Sequence, residues 1–334
     1  MSYPKKYNEK INLNILLYIY VAIGLGLLLS ASEGNYFMVV KQFVHVILAS
    51  IVLFTVQRVS CEQLQKIAVS LYIVTIILLL LVLTIGHTGK GAQRWLDLKF
   101  IRFEPSEIMK IVLPLTLASF IQKQELPMSK QALIQNLILI IIPFFLVAKQ
   151  PDLGTATIIF SIGLFTLIVA GLPLKFIRYG LGGFILCSPI SWTLLHDYQK
   201  RRIVTLLMPK KDISGDGYHI LQSKIAIGSG GIFGKGWFAG TQSHLQFLPE
   251  HNTDFIFALL AEEFGFLGCC ALLILFFWIL IKCFGYSTQA HTHFTRLASS
   301  GIAFAFGLCT FINIAMVSGI IPVVGIPLPL ISYG

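Results

Sequence analysis

The sequence predicts an all-α fold, a polytopic bundle of membrane helices. Of its 334 residues, 56% are hydrophobic and only 12% are charged, which is more apolar surface than one soluble core can bury. The apolar residues also run in stretches much longer than the ten or so residues that a strand of a membrane barrel needs. Because backbone groups in lipid must find partners within their own segment, such stretches form helices.

Nine apolar stretches are long enough to serve as membrane spans. They cover residues 14–31, 38–56, 67–85, 105–121, 133–149, 154–171, 177–195, 254–282 and 298–317. An odd number of spans places the two termini on opposite sides of the membrane. With the N-terminus inside, the short inner segments hold eleven Lys and Arg residues and the short outer loops hold five. The positive-inside rule therefore predicts a cytoplasmic N-terminus.

The predicted organisation is a single integral membrane domain over residues 1–334, with one large extracytoplasmic loop at 196–250. A net charge of +10 would favour nucleic acid as the partner of a soluble protein, but these basic residues lie in loops between spans, which favours anionic lipid. The outer basic residues gather in segments 90–102 and 200–235. Such clusters either form a solvated loop face or bind an anionic group. Six cysteines without a C-x-x-C pair indicate neither a zinc site nor a disulfide framework.

Charged residues cluster where the fourth span begins. Pro105 suits the first turn of a helix, and Glu107 favours the positive end of the helix dipole. Glu107 and Lys110 are three residues apart and share a helix face, so they either form a structural ion pair or line a cavity that opens outward. Asp152, in the tight turn before the sixth span, is either a cap of the next helix or a functional carboxylate.

The segment 228–236 is rich in glycine and contains Lys235. It nearly matches two nucleotide-binding motifs, but it lacks their Ser or Thr and their strand–helix context. Its backbone amides could cradle a phosphate, and a flexible linker would explain the same composition.

Asp254 stands where a polar loop enters an apolar helix. A charge at the boundary between water and lipid usually has a function, so Asp254 acts as a base or a metal ligand, or else caps the helix that begins at Phe255. Glu262 and Glu263 lie deeper in the same span, and Asn313 lies within the last one. We expect these polar side chains to face the interior of the bundle.

Seven motifs occur in a consistent order along the chain. They are Gly91-Ala-Gln-Arg-Trp-Leu-Asp97, Phe103-Glu-Pro-Ser-Glu107, Gln150-Pro-Asp-Leu-Gly-Thr155, Gln222–Gly231, Gly234-Lys-Gly236, Phe247–Ala258 and Pro327–Gly334. Together they resemble the SEDS family of shape, elongation, division and sporulation proteins, in particular its cell-elongation branch.

The resemblance implies a peptidoglycan glycosyltransferase of the bacterial inner membrane. Such an enzyme polymerises lipid II, the lipid-linked disaccharide-pentapeptide, and works with a class B penicillin-binding transpeptidase and other elongation proteins. By motif, Asp254 matches the essential Asp of the family and is the predicted catalytic residue. The predicted substrate-binding residues are Arg102, Glu107, Lys110 and Asp152, which match cavity positions, Glu250 of the Leu-Pro-Glu motif, and Lys235.

Two departures from the family pattern accompany this resemblance. Gln246 stands where relatives usually carry an acidic residue, so a divalent cation such as Mg²⁺ or Mn²⁺ has one carboxylate fewer to bind it. The family has ten helices, so we expect a tenth beyond the nine spans of this chain. A precursor flippase, a secondary transporter and a non-catalytic scaffold of the elongation machinery remain alternative functions, since intramembrane charges around a cavity also serve transport.

The chemistry of such a reaction fits a single carboxylate. Transfer from a pyrophosphate-linked donor needs a base for the acceptor hydroxyl and positive charge for the departing pyrophosphate. It does not need the paired carboxylates of a glycosidase. An aspartate with an ordinary pKa of about 3.9 is a weak base, so we expect partial desolvation to raise the pKa of Asp254.

Overall fold

The computed structural model describes residues 5–31, 36–89, 92–97, 102–124, 128–173, 175–176, 178, 193, 197–209, 215–244 and 253–333. Its helices are α1 (Lys5–Ala31), α2 (Tyr36–Val56), α3 (Cys61–Ile85), α4 (Pro105–Ile121), α5 (Lys130–Lys149), α6 (Leu153–Val169), α7 (Asp197–Leu207), α8 (Asp216–Ser229), α9 (Thr241–His244), α10 (Ile256–Thr288) and α11 (His293–Val317). Within these residues, α2, α3, α5, α10 and α11 are long and apolar enough to cross a membrane. The helical membrane fold is therefore confirmed. The count of nine spans stays a prediction, because 177–195 lies almost wholly outside the described residues.

Three short strands interrupt the helical fold, which the sequence analysis did not predict. They are β1 (His87–Gly89), β2 (Ala92–Asp97) and β3 (Arg102–Phe103), and they pair antiparallel in the order β1-β2-β3. The side chain of Gln93 donates a hydrogen bond to Gly86 O at 2.8 Å, and its backbone N–H donates to Gln150 O at 3.3 Å. These bonds tie the small sheet to the helix ends beside it.

The predicted loop at 196–250 also contains more helix than expected, since α7, α8 and α9 all begin and end within it. The chain divides into two compact units. Unit 1 comprises Met1–Arg58, Arg201–Lys282 and Gly307–Gly334, and unit 2 comprises Val59–Lys200 and Cys283–Phe306. The prediction of one membrane domain over the whole chain stays a prediction.

Unit 2 is built around α4, whose residues are buried along almost its whole length. Polar side chains link its neighbours: Thr116 donates to Ala68 O at 3.1 Å, and Tyr72 donates to Leu139 O at 2.9 Å. Gly301 lets α11 approach α4 closely, since a Cβ there would lie 2.5 Å from Cβ of Pro114. These contacts place the first turns of α4 and α6 in the same unit as β2.

In unit 1, the backbone of α10 is interrupted at one residue, and another segment of the chain bonds to the backbone around the interruption. Gly265 interrupts α10 with φ 65° and ψ −161°, a conformation that other residues adopt only under strain. The glycine-rich segment crosses this break and exchanges four backbone hydrogen bonds of 2.9–3.1 Å with it: Lys235 N to Glu262 O, Gly236 N to Glu263 O, Phe266 N to Gly231 O, and Leu267 N to Ile232 O. Because an unpaired backbone group in lipid costs several kcal/mol, these bonds allow the break to exist within a membrane helix.

Candidate active site

Asp254 lies immediately before α10 and is buried. Its neighbours on the helical side, Phe255 to Ala261, are buried as well, so the carboxylate stands at the edge of the packed core of unit 1. This is the junction of loop and helix that the sequence predicted.

Two polar side chains hold the backbone at this junction. Asn313 of α11 donates from Nδ2 to Asp254 O at 2.9 Å and to Ile326 O at 2.7 Å. Ser332 donates from Oγ to Thr253 O at 2.6 Å and accepts from Leu328 N at 2.8 Å. The carboxylate therefore extends from a backbone that is fixed from two directions, as a preorganised catalytic group requires.

Unit 2 contains a second polar cluster, at the first turns of α4 and α6. Asp152 caps α6 by accepting a hydrogen bond from Thr155 N at 3.2 Å. Its other oxygen forms an ion pair with Arg94 of β2, with 3.0 Å between Oδ2 and Nε. Asp152 is thus a helix cap and a charged partner at once, so both roles considered from the sequence are compatible with the structure.

Glu107 and Lys110 form the ion pair considered from their spacing, with 2.6 Å between Oε1 and Nζ. The lysine side chain is only 5% exposed, whereas the Glu107 side chain is 50% exposed. The pair therefore runs from the interior of unit 2 to its surface. A ligand that approached Glu107 from solvent would meet a cation directly behind it.

Glu104, the residue before α4, also belongs to this cluster. Burial raises the pKa of Glu104 to about 7; a hydrogen bond from Ser106 opposes the rise, and the charges of Glu107 and Asp152 add to it. With three carboxylates and the two cations Arg94 and Lys110, the cluster approaches neutrality when Glu104 holds a proton. Glu104 can accordingly donate or accept a proton near neutral pH.

Two predicted site residues cannot be placed in this way. The side chain of Arg102, in β3, and the whole of Glu250 lie outside the described residues. Their substrate-binding roles stay predictions.

Lys235 pairs with Glu262 of α10, with 2.6 Å between Nζ and Oε1. The same carboxylate oxygen accepts hydrogen bonds from Thr241 N at 2.8 Å and Gln242 N at 2.9 Å. Ser30 donates to the neighbouring Glu263, and both glutamates are fully buried, which confirms that they face the protein interior.

The phosphate cradle and the flexible linker considered for segment 228–236 are both wrong for residues 234–236. The amides of Lys235 and Gly236 are used by carbonyls of α10, and the amide of Gly234 donates to Gly230 O at 2.8 Å. A Cβ at Gly234 would lie 2.1 Å from Glu263 O, so the glycines serve close backbone packing. The substrate-binding role of Lys235 is untested, but its charge is paired within the protein.

Glu262 also holds one end of the segment that leads to Asp254. Its carboxylate holds Thr241 and Gln242, where the stretch that leads to Asp254 begins, while Asn313 and Ser332 hold the end of that stretch. Among the described residues, no three His, Cys, Asp or Glu side chains are grouped so that they could hold a metal ion. The divalent cation considered from the sequence stays a prediction.

Sequence reasoning did not assign Arg94, Glu104 or Ser332 to a site, although all three lie within the quoted motifs. Their proximity to predicted site residues in those motifs was the available signal. Asn313 was expected to be interior, but its bond to Asp254 O joins residues 59 positions apart, which no local pattern reveals.

Comparison with known proteins identifies the family of the chain. The family of cell cycle proteins that comprises FtsW, RodA and SpoVE matches residues 11–334. The chain is 44% identical over 335 residues to the peptidoglycan glycosyltransferase MrdB of Escherichia coli K12, covering 99% of this chain and 90% of that protein. MrdB of Helicobacter pylori J99 is 38% identical, with 90% of this chain and 80% of that protein covered.

Solved structures give the same result. RodA of Thermus thermophilus superimposes with a TM-score of 0.73 at 28% identity, covering 97% of this chain and 89% of that one. A chain from a peptidoglycan synthase complex that coordinates polymerization and crosslinking has a TM-score of 0.83 at 29% identity, covering 97% and 91%. With a multi-pass helical fold and a family match over nearly its whole length, the chain belongs to the FtsW, RodA and SpoVE family of cell cycle proteins.

Proposed function

We infer that the chain is a peptidoglycan glycosyltransferase that polymerises lipid II into glycan strands for cell elongation. Its 44% identity to MrdB across almost the full length supports the activity. The structural observation that carries the mechanism is the buried Asp254, set at the start of α10 on a backbone fixed by Asn313 and Ser332.

In this mechanism Asp254 is the general base. It takes the proton from the acceptor sugar's hydroxyl as that oxygen attacks the anomeric carbon of the donor. The bond to the lipid pyrophosphate breaks in the same displacement, so an α-linked donor gives a β-linked glycan. Pyrophosphate is a good leaving group, and its departure calls for positive charge rather than for a protonated carboxyl.

Arg102 and Lys110 supply that positive charge. The Lys110 ammonium is paired with the half-exposed Glu107, so an incoming phosphate oxygen competes with the Glu107 carboxylate for this cation. Because the pKa of Glu104 is near neutrality, Glu104 can bind or release a proton when the phosphate changes the charge of the cluster. A divalent cation bound at the pyrophosphate would add further positive charge.

The partners and placement follow from the same proposal. The protein is a multi-pass membrane protein, and we place its N-terminus in the cytoplasm on the charge bias of the short loops. The structural neighbour from a synthase complex that couples polymerization with crosslinking supports a class B penicillin-binding transpeptidase as partner.

The test uses purified protein, reconstituted with labelled lipid II, and compares Asp254→Asn with wild type. We expect polymer on a gel with wild type and a loss of about 10²–10⁴-fold with the variant, which is the range of general-base catalysis. Asn keeps the size of Asp and much of its capping ability, so a pure capping role predicts near-normal activity. Glu62→Gln, an exposed carboxylate-to-amide change on α3, is the matched control.

The outcome also separates the alternative functions. Translocation of lipid II across a vesicle without polymer would identify a flippase, and neither activity would identify a scaffold. Polymerisation by Asp254→Asn within about threefold of wild type at equal protein level would rule out the base role and direct attention to Glu250 or Asp152.

A further inference from the structure

A second polar cavity lies at the other end of unit 2. It has a volume of about 270 Å³ and is lined by the ends of α4 and α6 and the first turn of α11. The 17 residues of α4 separate it from Glu104 by roughly 25 Å at 1.5 Å per residue. This cavity is therefore distinct from the cluster of Arg94, Asp152 and Glu104.

Four polar side chains line the cavity: Gln122, Gln124, His293 and Arg296. His293 and Arg296 are three residues apart on α11, so both point to one face of its first turn. None of the described lining residues is acidic. A guanidinium, an imidazole and two carboxamides form a wall suited to an anion.

Hydrogen bonds hold the side chain of Gln124 and the backbone at Arg296. Gln124 accepts a hydrogen bond at Oε1 from the buried Asn136 at 2.9 Å, which orients the carboxamide. The backbone around Arg296 is held by Ser287, which donates to Arg296 O at 2.8 Å, and by the bond from Arg296 N to Thr292 O at 3.0 Å. Gln122, His293 and Arg296 are exposed, so a ligand in solution can reach their donors.

Buried apolar residues form the rest of the wall. Ile121 and Leu297 are 3% and 2% exposed, and both line the cavity. Since liquid water takes up about 30 Å³ per molecule, the cavity has room for one phosphate group with a few waters. With the N-terminus inside, this end of unit 2 meets the inner leaflet.

We propose that this cavity binds the phosphate group of an anionic species at the inner surface of the membrane. The guanidinium of Arg296 is permanently charged and bonds phosphate oxygens in pairs, and the carboxamides add neutral donors. Basic pockets between membrane helices on the cytoplasmic side bind anionic lipid headgroups, and a free phosphate offers the same oxygens.

The experiment compares wild type, Arg296→Gln and Arg58→Gln in detergent. Arg58 is an exposed basic residue that does not line the cavity, which makes it the matched control. In one arm, native mass spectrometry measures retention of phosphatidylglycerol against phosphatidylcholine with the same acyl chains. In the other arm, inorganic phosphate replaces lipid, and its effect on thermal unfolding is recorded.

We expect wild type and Arg58→Gln to retain phosphatidylglycerol in preference to phosphatidylcholine, and Arg296→Gln to bind it about tenfold more weakly. If only the stabilisation by inorganic phosphate depends on Arg296, the site is a phosphate site and its ligand is a free anion. If neither arm depends on Arg296, the proposal is overturned.

A second variant keeps the test decisive if Arg296→Gln does not fold. Gln122→Leu removes a neutral donor from the same wall, and we expect phosphatidylglycerol binding to weaken by about threefold. Polymerisation of lipid II is expected to be unchanged in both variants. Unchanged phosphatidylglycerol binding in Gln122→Leu would then contradict the proposal.

Discussion

Glu262 is fully buried and Glu104 is partly buried, and the surroundings of the two carboxylates differ. One oxygen of Glu262 accepts from the Lys235 ammonium, from two backbone amides and from the Thr241 hydroxyl at 3.1 Å. Glu104 accepts from Ser106 at 2.6 Å and lies close enough to Glu107 and Asp152 for their charges to disfavour its ionisation. The first environment stabilises a buried charge, and the second destabilises one.

The difference indicates what each carboxylate does. Four donors on one oxygen make Glu262 a structural group, which holds residues 235, 241 and 242 against α10. The environment of Glu104 costs stability when the group ionises, and such costs are concentrated at functional sites. Substitutions at and around the two carboxylates distinguish these roles.

The glycine-rich segment packs so closely against the break in α10 that we expect no side chain to be tolerated at Gly234. This residue has φ +81°, and a Cβ would lie 2.1 Å from Glu263 O. We expect Gly234→Ala to lose about 4 kcal/mol of stability from backbone strain and overpacking. Gly228→Ala on α8 is the control, since a Cβ there meets nothing within 4 Å. Equal thermal unfolding of the two variants in detergent would show that the crossing is not rigid.

Removal of the Glu262 carboxylate should destabilise the protein by about 3 kcal/mol, because it leaves Lys235 and two amides without their acceptor. The measurement is unfolding of Glu262→Ala, with the exposed Glu62→Ala as control. We expect the control to stay within about 0.5 kcal/mol of wild type. A normal melting temperature for Glu262→Ala would contradict a structural role.

Lys110→Met should lower the rate of lipid II polymerisation more than it lowers stability. Met keeps most of the side-chain volume, while the charge that stabilises the departing pyrophosphate is lost. A charge-assisted contact contributes roughly 1.5–3 kcal/mol, which corresponds to a loss of about 10–100-fold. Arg102→Gln is expected to behave in the same way. If both variants polymerise at the wild-type rate, these residues are structural.

Glu104→Gln should change the pH dependence of stability. Because the pKa of Glu104 in the folded protein is raised to about 7, the folded state binds more protons than the unfolded state between roughly pH 4.5 and 7. Wild type therefore loses stability as pH rises through this window, by up to about 3 kcal/mol from this group. In Glu104→Gln this loss should be absent, so parallel pH profiles of melting temperature for the two proteins would disprove the assignment.

The class of the protein and the position of its main candidate residue could be predicted from the amino-acid sequence. Long apolar stretches leave a membrane chain no alternative to helices, because the backbone must pair within each segment. The same reasoning predicted that Glu262 and Glu263 face the interior, since an unpaired charge in lipid is costly. The junction at Asp254 was also visible, because polarity changes there within a few residues.

The contacts that hold these residues could not be predicted from the sequence, because they join distant parts of the chain. These contacts join residues that are 27 to 79 positions apart in the sequence. They are the ion pairs Arg94–Asp152 and Lys235–Glu262 and the hydrogen bonds from Asn313 and Ser332 to residues 254 and 253. Composition made segment 228–236 look like a linker, since glycine favours flexible chains and close packing equally. This segment packs against the break at Gly265, which exists only in the folded chain. There, backbone groups of the two segments hydrogen-bond each other, and neither segment could satisfy these groups alone.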